Sequence, residues 1–278
     1  MEKQNQRVVP SVVYSESYYL TDNEGFIEYH EGLNDNVHPK FGRALGHVKL
    51  LPRMNVLDIG CGRGELSFYA LKKGCTVTAV DYSEAAIRIA WQTIASLSDE
   101  EKSRLDLRLL DATGLNVLCT ARDADSRFDA VFMVDVVEHV YPWQLHEIVL
   151  HLQRLMKPDG VLFISTPNGL FERHFYTINR ILSWPFTALR MLFRLIRGKS
   201  TVNVFWRNVC KFSKHRNDDI DVMHVNIMSP RQIRSFFPGW RIRTTCDPGN
   251  SRSFMSVLLP RWFAPELVVC AQPPLRGN

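Results

Sequence analysis

The stretch Asn55-Val56-Leu57-Asp58-Ile59-Gly60-Cys61-Gly62-Arg63-Gly64-Glu65 constrains the fold more than any other part of this chain. An apolar run ends in an acid and passes into a loop with glycine at alternate positions. Leu66 to Gly74 then reads as a helix closed by a C-terminal glycine. Strand, glycine loop and helix form the first crossover of a nucleotide-binding α/β fold, where missing side chains let a ligand touch the backbone. No Lys-Ser/Thr pair follows, which excludes a triphosphate loop. The glycines fall at 60, 62 and 64 instead of in a G-x-G-x-x-G dinucleotide fingerprint, and a negative Asp58 at the entrance repels a pyrophosphate. The loop suits a ligand with an adenosine end and a zwitterionic, phosphate-free end.

Four further signals follow in order. The β-branched run Thr76 to Val80 ends in Asp81, followed by Tyr82-Ser83-Glu84 and a helical pattern from Ala85 to Ala95. An acid at the tip of a second strand can accept both ribose hydroxyls of an adenosine. Leu105 to Leu110 ends in Asp111-Ala112-Thr113, and Phe128 to Val134 runs into Asp135-Val136-Val137-Glu138-His139. Leu155-Met156-Lys157-Pro158-Asp159-Gly160 leads to a fifth strand, Val161 to Ser165, with Thr166-Pro167-Asn168 beyond it.

Over residues 54–168 this succession resembles the class I S-adenosylmethionine-dependent methyltransferases. The resemblance implies an α/β, Rossmann-like, doubly wound seven-stranded sheet with an antiparallel last strand. It also implies S-adenosylmethionine as co-substrate, held by Asp58, Gly60, Cys61, Gly62, Asp81, Tyr82, Asp111, Ala112 and Asp135. Gly60 and Gly62 are expected to matter by absence, because a side chain there would occupy the space of the donor's amino-acid moiety. Asp135-x-x-Glu138-His139 resembles the E-x-x-E-H motif of ubiquinone-pathway O-methyltransferases and small-RNA 2′-O-methyltransferases, where two carboxylates and a histidine bind a divalent metal. Here aspartate shortens the first ligand by one methylene. A further histidine in those families can follow the fifth strand, and His224 is the candidate. Three readings of the constellation stay open. His139 acts as a metal-free general base; or Asp135, Glu138, His139 and His224 hold Mg²⁺ or another divalent ion; or Glu138-His139 is a structural pair at a helix start.

Outside these motifs, residues 1–53 form an aromatic and acidic leader expected to place short helices over the cofactor mouth. Residues 54–278 make up the catalytic domain, with a helical insertion at about 170–220. Arg241 to Thr245 and Ser253 to Leu259 read as closing strands, and Leu267 to Ala271 as the end of that hairpin or a short tail strand. Six scattered cysteines without a C-x-x-C pair read as reduced thiols. The polar start, Met1 to Gln6, lacks an apolar signal core, so a cytoplasmic location is expected.

Residues 171–216 carry ten Lys/Arg against one acid, Glu172, in a chain whose net charge is +5. Phe175, Ile178, Leu182, Phe186, Leu189, Phe193 and Ile196 recur at helical spacing. Such a basic amphipathic element can lie on the anionic inner membrane surface, grip an anionic acceptor, or form a lid with solvated arginines. No RNA-binding module accompanies it, which disfavours nucleic acid. The leading expectation is O-methylation of a small or lipid-linked molecule, a saccharide or natural-product intermediate. The alternatives are a quinone precursor, an RNA 2′-hydroxyl, or a donor-binding partner subunit without catalysis.

Overall fold

Apolar runs that end in turn residues become the five parallel strands of the sheet. They are β1 (Asn55–Ile59), β2 (Thr76–Asp81), β3 (Leu105–Leu109), β4 (Phe128–Val134) and β5 (Met156–Pro167). The computed structural model describes residues 7–22, 25–33, 37–118, 127–174, 223–247 and 264–274. β6 (Arg241–Asp247) and β7 (Glu266–Gln272) complete a seven-stranded sheet of order β3-β2-β1-β4-β5-β7-β6. β7 runs antiparallel to both β5 and β6. Leu267–Ala271 is therefore not a tail strand, and its antiparallel partner on the Arg241 side is β6 itself. It is an interior strand whose Leu267, Val268 and Val269 are fully buried, and residues 253–259 lie outside the described residues.

The helices are α1 (Phe26–Glu31), α2 (Pro39–His47), α3 (Glu65–Lys72), α4 (Glu84–Ala95), α5 (Asp99–Lys102), α6 (Pro142–Leu155), α7 (Gly169–His174) and α8 (Pro230–Ser235). Ser83 caps α4 by accepting the Ala86 N–H, and proline opens α2, α6 and α8, where a missing N–H loses nothing. Leu57, Ile59, Val131, Met133 and Ile164 face a core closed by α6 and α8, whereas Val56, Ala130, Phe132 and Phe163 face one closed by α2 and α3. Both faces are covered, which is why the central strands read as unbroken apolar runs.

Strand order reverses between β1 and β4. Asp58, Asp81 and Asp135 stand at or near the carboxyl ends of β1, β2 and β4, where open α/β sheets leave a crevice. Across that crevice lies the leader, with a 3₁₀ turn at Ser11–Val13 and a π-type turn at Tyr18–Asp22. Val9, Tyr14 and Tyr19 pack with Ala85, Ala86 and Ile89 of α4 and with Met223. The amphipathic run beyond His174 lies outside the described residues.

Candidate active site

A cavity of about 840 Å³ opens at the strand ends, within the size range of small-molecule sites. Every residue expected from sequence to meet the donor lines it: Asp58, Gly60, Cys61, Gly62, Asp81, Tyr82, Asp111, Ala112 and Asp135. Glu138, His139 and His224 line it too.

The end of the cavity nearest β1 and β2 is a set of carboxylates held by short hydrogen bonds. Asp81 accepts the Gly62 N–H at 3.0 Å with one oxygen and the Ser83 N–H at 2.9 Å with the other. Each carboxylate oxygen keeps a second lone pair, so Asp81 can still accept hydroxyls. Asp58 is buried and takes the Ser67 hydroxyl at 2.6 Å. Burial pushes its carboxyl up to about 7 against the pull of Ser67. Asp111, exposed to the cavity mouth, caps the next turn through the Thr113 N–H at 2.8 Å.

The glycines are also constrained by the protein itself. A Cβ on Gly60 would lie 2.5 Å from Val136 Cγ2, and one on Gly62 would lie 3.5 Å from the Tyr19 ring. Both residues have positive φ, +68° and +51°. At Gly60 the protein's own wall and the left-handed backbone both exclude a side chain, whereas at Gly62 the ring contact is an ordinary one and the left-handed backbone alone disfavours it. Gly60 is the stricter case.

At the other end, Asp135 adopts a φ of +55°, which is strained for a residue with a side chain. Its carboxylate pairs with Lys40 of α2 at 3.0 Å. Burial raises the Asp135 pKa, but the Lys40 ammonium outweighs it and holds the carboxyl below its ordinary value. Glu138 is 2% exposed and accepts the Thr166 hydroxyl at 2.9 Å. Desolvation and the neighbouring Asp135 charge push Glu138 up to about 8. His139 turns Nδ1 toward the Met223 carbonyl at 3.3 Å, and its ring lies 4.9 Å from the His224 ring. Desolvation and His224 bring the His139 imidazole down to about 4. At neutral pH it is already uncharged, so no rise in rate is expected from its deprotonation there.

Glu138, His139 and His224 bring one candidate ligand atom each to within 4.8 Å of one another. Asp135 stands outside that trio, engaged by Lys40. Tyr14 closes the far side of His139, its ring perpendicular at 5.5 Å. Lys40 and Thr166 were not singled out in the sequence. A lysine behind a helix-opening proline carries no local mark of burial, and Thr166 was read only as a strand terminus.

Residues 29–237 match a family model described as a methyltransferase domain. The chain belongs to the class I S-adenosylmethionine-dependent methyltransferase family. Among curated relatives, a ubiquinone biosynthesis O-methyltransferase from Coxiella burnetii is 35% identical over 124 residues, covering 45% of this chain and 48% of the relative. Another of the same name from Rhizobium leguminosarum bv. trifolii is 32% identical over 155 residues, covering 55% and 57%. The chain thus spans about half the length of the curated relatives it matches. In fold it is similar to Haemonchus contortus phosphoethanolamine N-methyltransferase 1, solved with phosphoethanolamine and S-adenosylhomocysteine. That similarity has a TM-score of 0.60 at 13% identity and covers 96% of this chain and 49% of that one. No helix among the described residues is long and apolar enough to cross a membrane.

Proposed function

We propose that this protein transfers the methyl group of S-adenosylmethionine to a hydroxyl of a small or lipid-linked molecule, at a centre formed by Glu138, His139 and His224. The observation that carries the reading is the convergence of those three side chains in the cavity that also holds Asp58, Gly60, Asp81 and Asp111. Methyl transfer from a sulfonium is an in-line displacement with an activated leaving group. The protein's task is alignment and control of the acceptor proton. Asp81 and Asp111 would hold the adenosine end, and the amides of the glycine loop the amino-acid end. Asp135 extends the polar wall between donor and acceptor.

The trio fits a divalent ion. A buried carboxyl that resists ionisation and two imidazoles, one depressed toward neutrality, form a donor set short of positive charge. His139 Nδ1 is directed at a backbone carbonyl, an arrangement that fixes the ring and leaves Nε2 for the cavity. One carboxylate with two imidazoles suits Mn²⁺, Fe²⁺ or Zn²⁺ as well as Mg²⁺. Such an ion would lower the pKa of a bound acceptor hydroxyl. A quinone-precursor acceptor is the second reading, favoured by the names of the curated relatives.

Chelation is the test. Methylation by the purified protein, followed with labelled donor against a panel of hydroxylated small molecules, is expected to fall in excess EDTA and return with one divalent ion. Full activity in EDTA would remove the ion and leave Glu138 and His139 to handle the acceptor proton unaided.

A further inference from the structure

The leader is held across the cavity by its backbone. Tyr82 Oη donates to the Val9 carbonyl at 3.3 Å, Ser83 Oγ to the Tyr14 carbonyl at 2.9 Å, and Arg63 Nη1 to the Tyr19 carbonyl at 2.8 Å. Trp143 Nε1 adds a bond to the Arg7 carbonyl at 3.3 Å. Three of these four anchors stand on the two loops that carry the candidate donor residues. Arg63 directly follows Gly62, and Tyr82 and Ser83 directly follow Asp81. Asp81 also accepts the N–H groups of both Gly62 and Ser83, so one carboxylate sets the spacing of the anchor loops.

Arg63 is the most fixed anchor. Only 3% exposed, it borders the cavity with Nε and Nη2 both 2.8 Å from Glu65 Oε2 and its guanidinium 5.3 Å from the Tyr29 ring. The opposite face of the leader lines the cavity with Tyr14, Tyr18 and Tyr19, and Tyr14 reaches both ends. Its ring lies 5.5 Å from Tyr82 at the donor end and 5.5 Å from His139 at the acceptor end.

We infer that Arg63, Tyr82 and Ser83 are positioning residues that couple leader docking to occupancy of the donor site. This rests on the donor reading. A donor seated on Asp81 fixes the spacing of the two loops, and that spacing is what lets three side chains reach three leader carbonyls at once. The docked leader brings Tyr14 against His139, so the acceptor site is completed on donor-loaded enzyme and the acceptor is taken up second. Linkage makes the effect reciprocal, so loosening the leader weakens the donor.

Hydrogen exchange of the full chain, with and without saturating S-adenosylhomocysteine, tests this. The Tyr14 and Tyr19 amides, which bond the Ser11 and Ser15 carbonyls, are expected to exchange at least about tenfold more slowly with the ligand. Arg63→Gln is expected to raise the Kd for S-adenosylhomocysteine by about 5- to 150-fold and to erase that protection. Tyr82→Phe keeps the ring and should shift both readouts the same way by less. Should Arg63→Gln fail to fold, Tyr82→Phe and the wild type decide. A purely structural Arg63 would speed leader exchange equally with and without ligand, leaving the protection ratio and Kd unchanged, and that would overturn the inference. So would a wild type that binds the ligand with unchanged leader exchange. Absence of ligand binding by folded wild type would instead remove the donor reading beneath it.

Discussion

The two ends of the cavity are built by different physics. At the end nearest β1 and β2, acids at strand tips are held by backbone amides, as in Asp81 with Ser83 two residues on and with Gly62 of the neighbouring loop. At the acceptor end, side chains from α2, the β4 terminus, the β5 terminus and residues 223–224 meet through tertiary contacts such as Lys40 with Asp135 and Glu138 with Thr166. The first arrangement rests on backbone donors within two adjoining strand–helix loops. The second depends on ionisation states that burial and neighbouring charge have moved.

The sharpest break in that comparison is expected at Gly60. Gly60→Val should abolish donor binding or folding, because its Cβ would meet Val136 Cγ2 at 2.5 Å on a backbone of positive φ. Gly60→Ala with Val136→Ala should regain part of the binding lost in Gly60→Ala alone, as read by calorimetry. No gain would show that backbone strain, and not Val136, sets the requirement.

Next in size is His139→Ala, which should slow turnover by about 10²–10⁴ with donor affinity unchanged. With the imidazole brought down to about 4, the wild-type rate should show no histidine step between about pH 6 and 8. Equal loss of rate and donor binding would assign His139 a structural role.

Asp81→Ala should weaken S-adenosylhomocysteine by about 1.5–3 kcal/mol, the range for hydrogen bonds to a charged acceptor. Unchanged affinity would move the ribose elsewhere.

Asp58 gives the smallest effect. Its folded pKa of about 7 lies above the ordinary aspartate value, so the folded state favours the neutral carboxyl. The stability penalty for ionising it is absent below about pH 4 and grows to its full size above about pH 7. Relative to wild type, the Tm of ligand-free Asp58→Asn should therefore rise by roughly 2–4 °C or more between pH 5 and pH 8. Parallel curves would contradict the burial argument.

The same contrast explains what could be read from the chain. β1 to β4 and the acids at their ends were legible because apolar runs, acids and glycines punctuate them locally. His224 was nominated from a resemblance, and its approach to His139 depends on the chain's return after the fifth strand. Leu267–Ala271 was ambiguous because insertion of β7 between β5 and β6 is a pairing choice that no local pattern specifies. Lys40 escaped because lysine is ordinarily solvated, and its burial reflects the position of α2 over Asp135. Gly60 and Gly62 were singled out for the space a ligand needs; the structure adds a left-handed backbone at both and the Val136 wall at Gly60. The basic amphipathic run at 175–216, expected to meet a membrane or an acceptor or to form a lid, lies outside the described residues.

Calorimetric titration of the folded wild-type protein with S-adenosylhomocysteine tests the central claim most directly. One site per chain with a Kd of roughly 1–100 µM is expected, about −5.5 to −8.2 kcal/mol. A folded protein that releases no heat and shows no shift in Tm at millimolar ligand would contradict it.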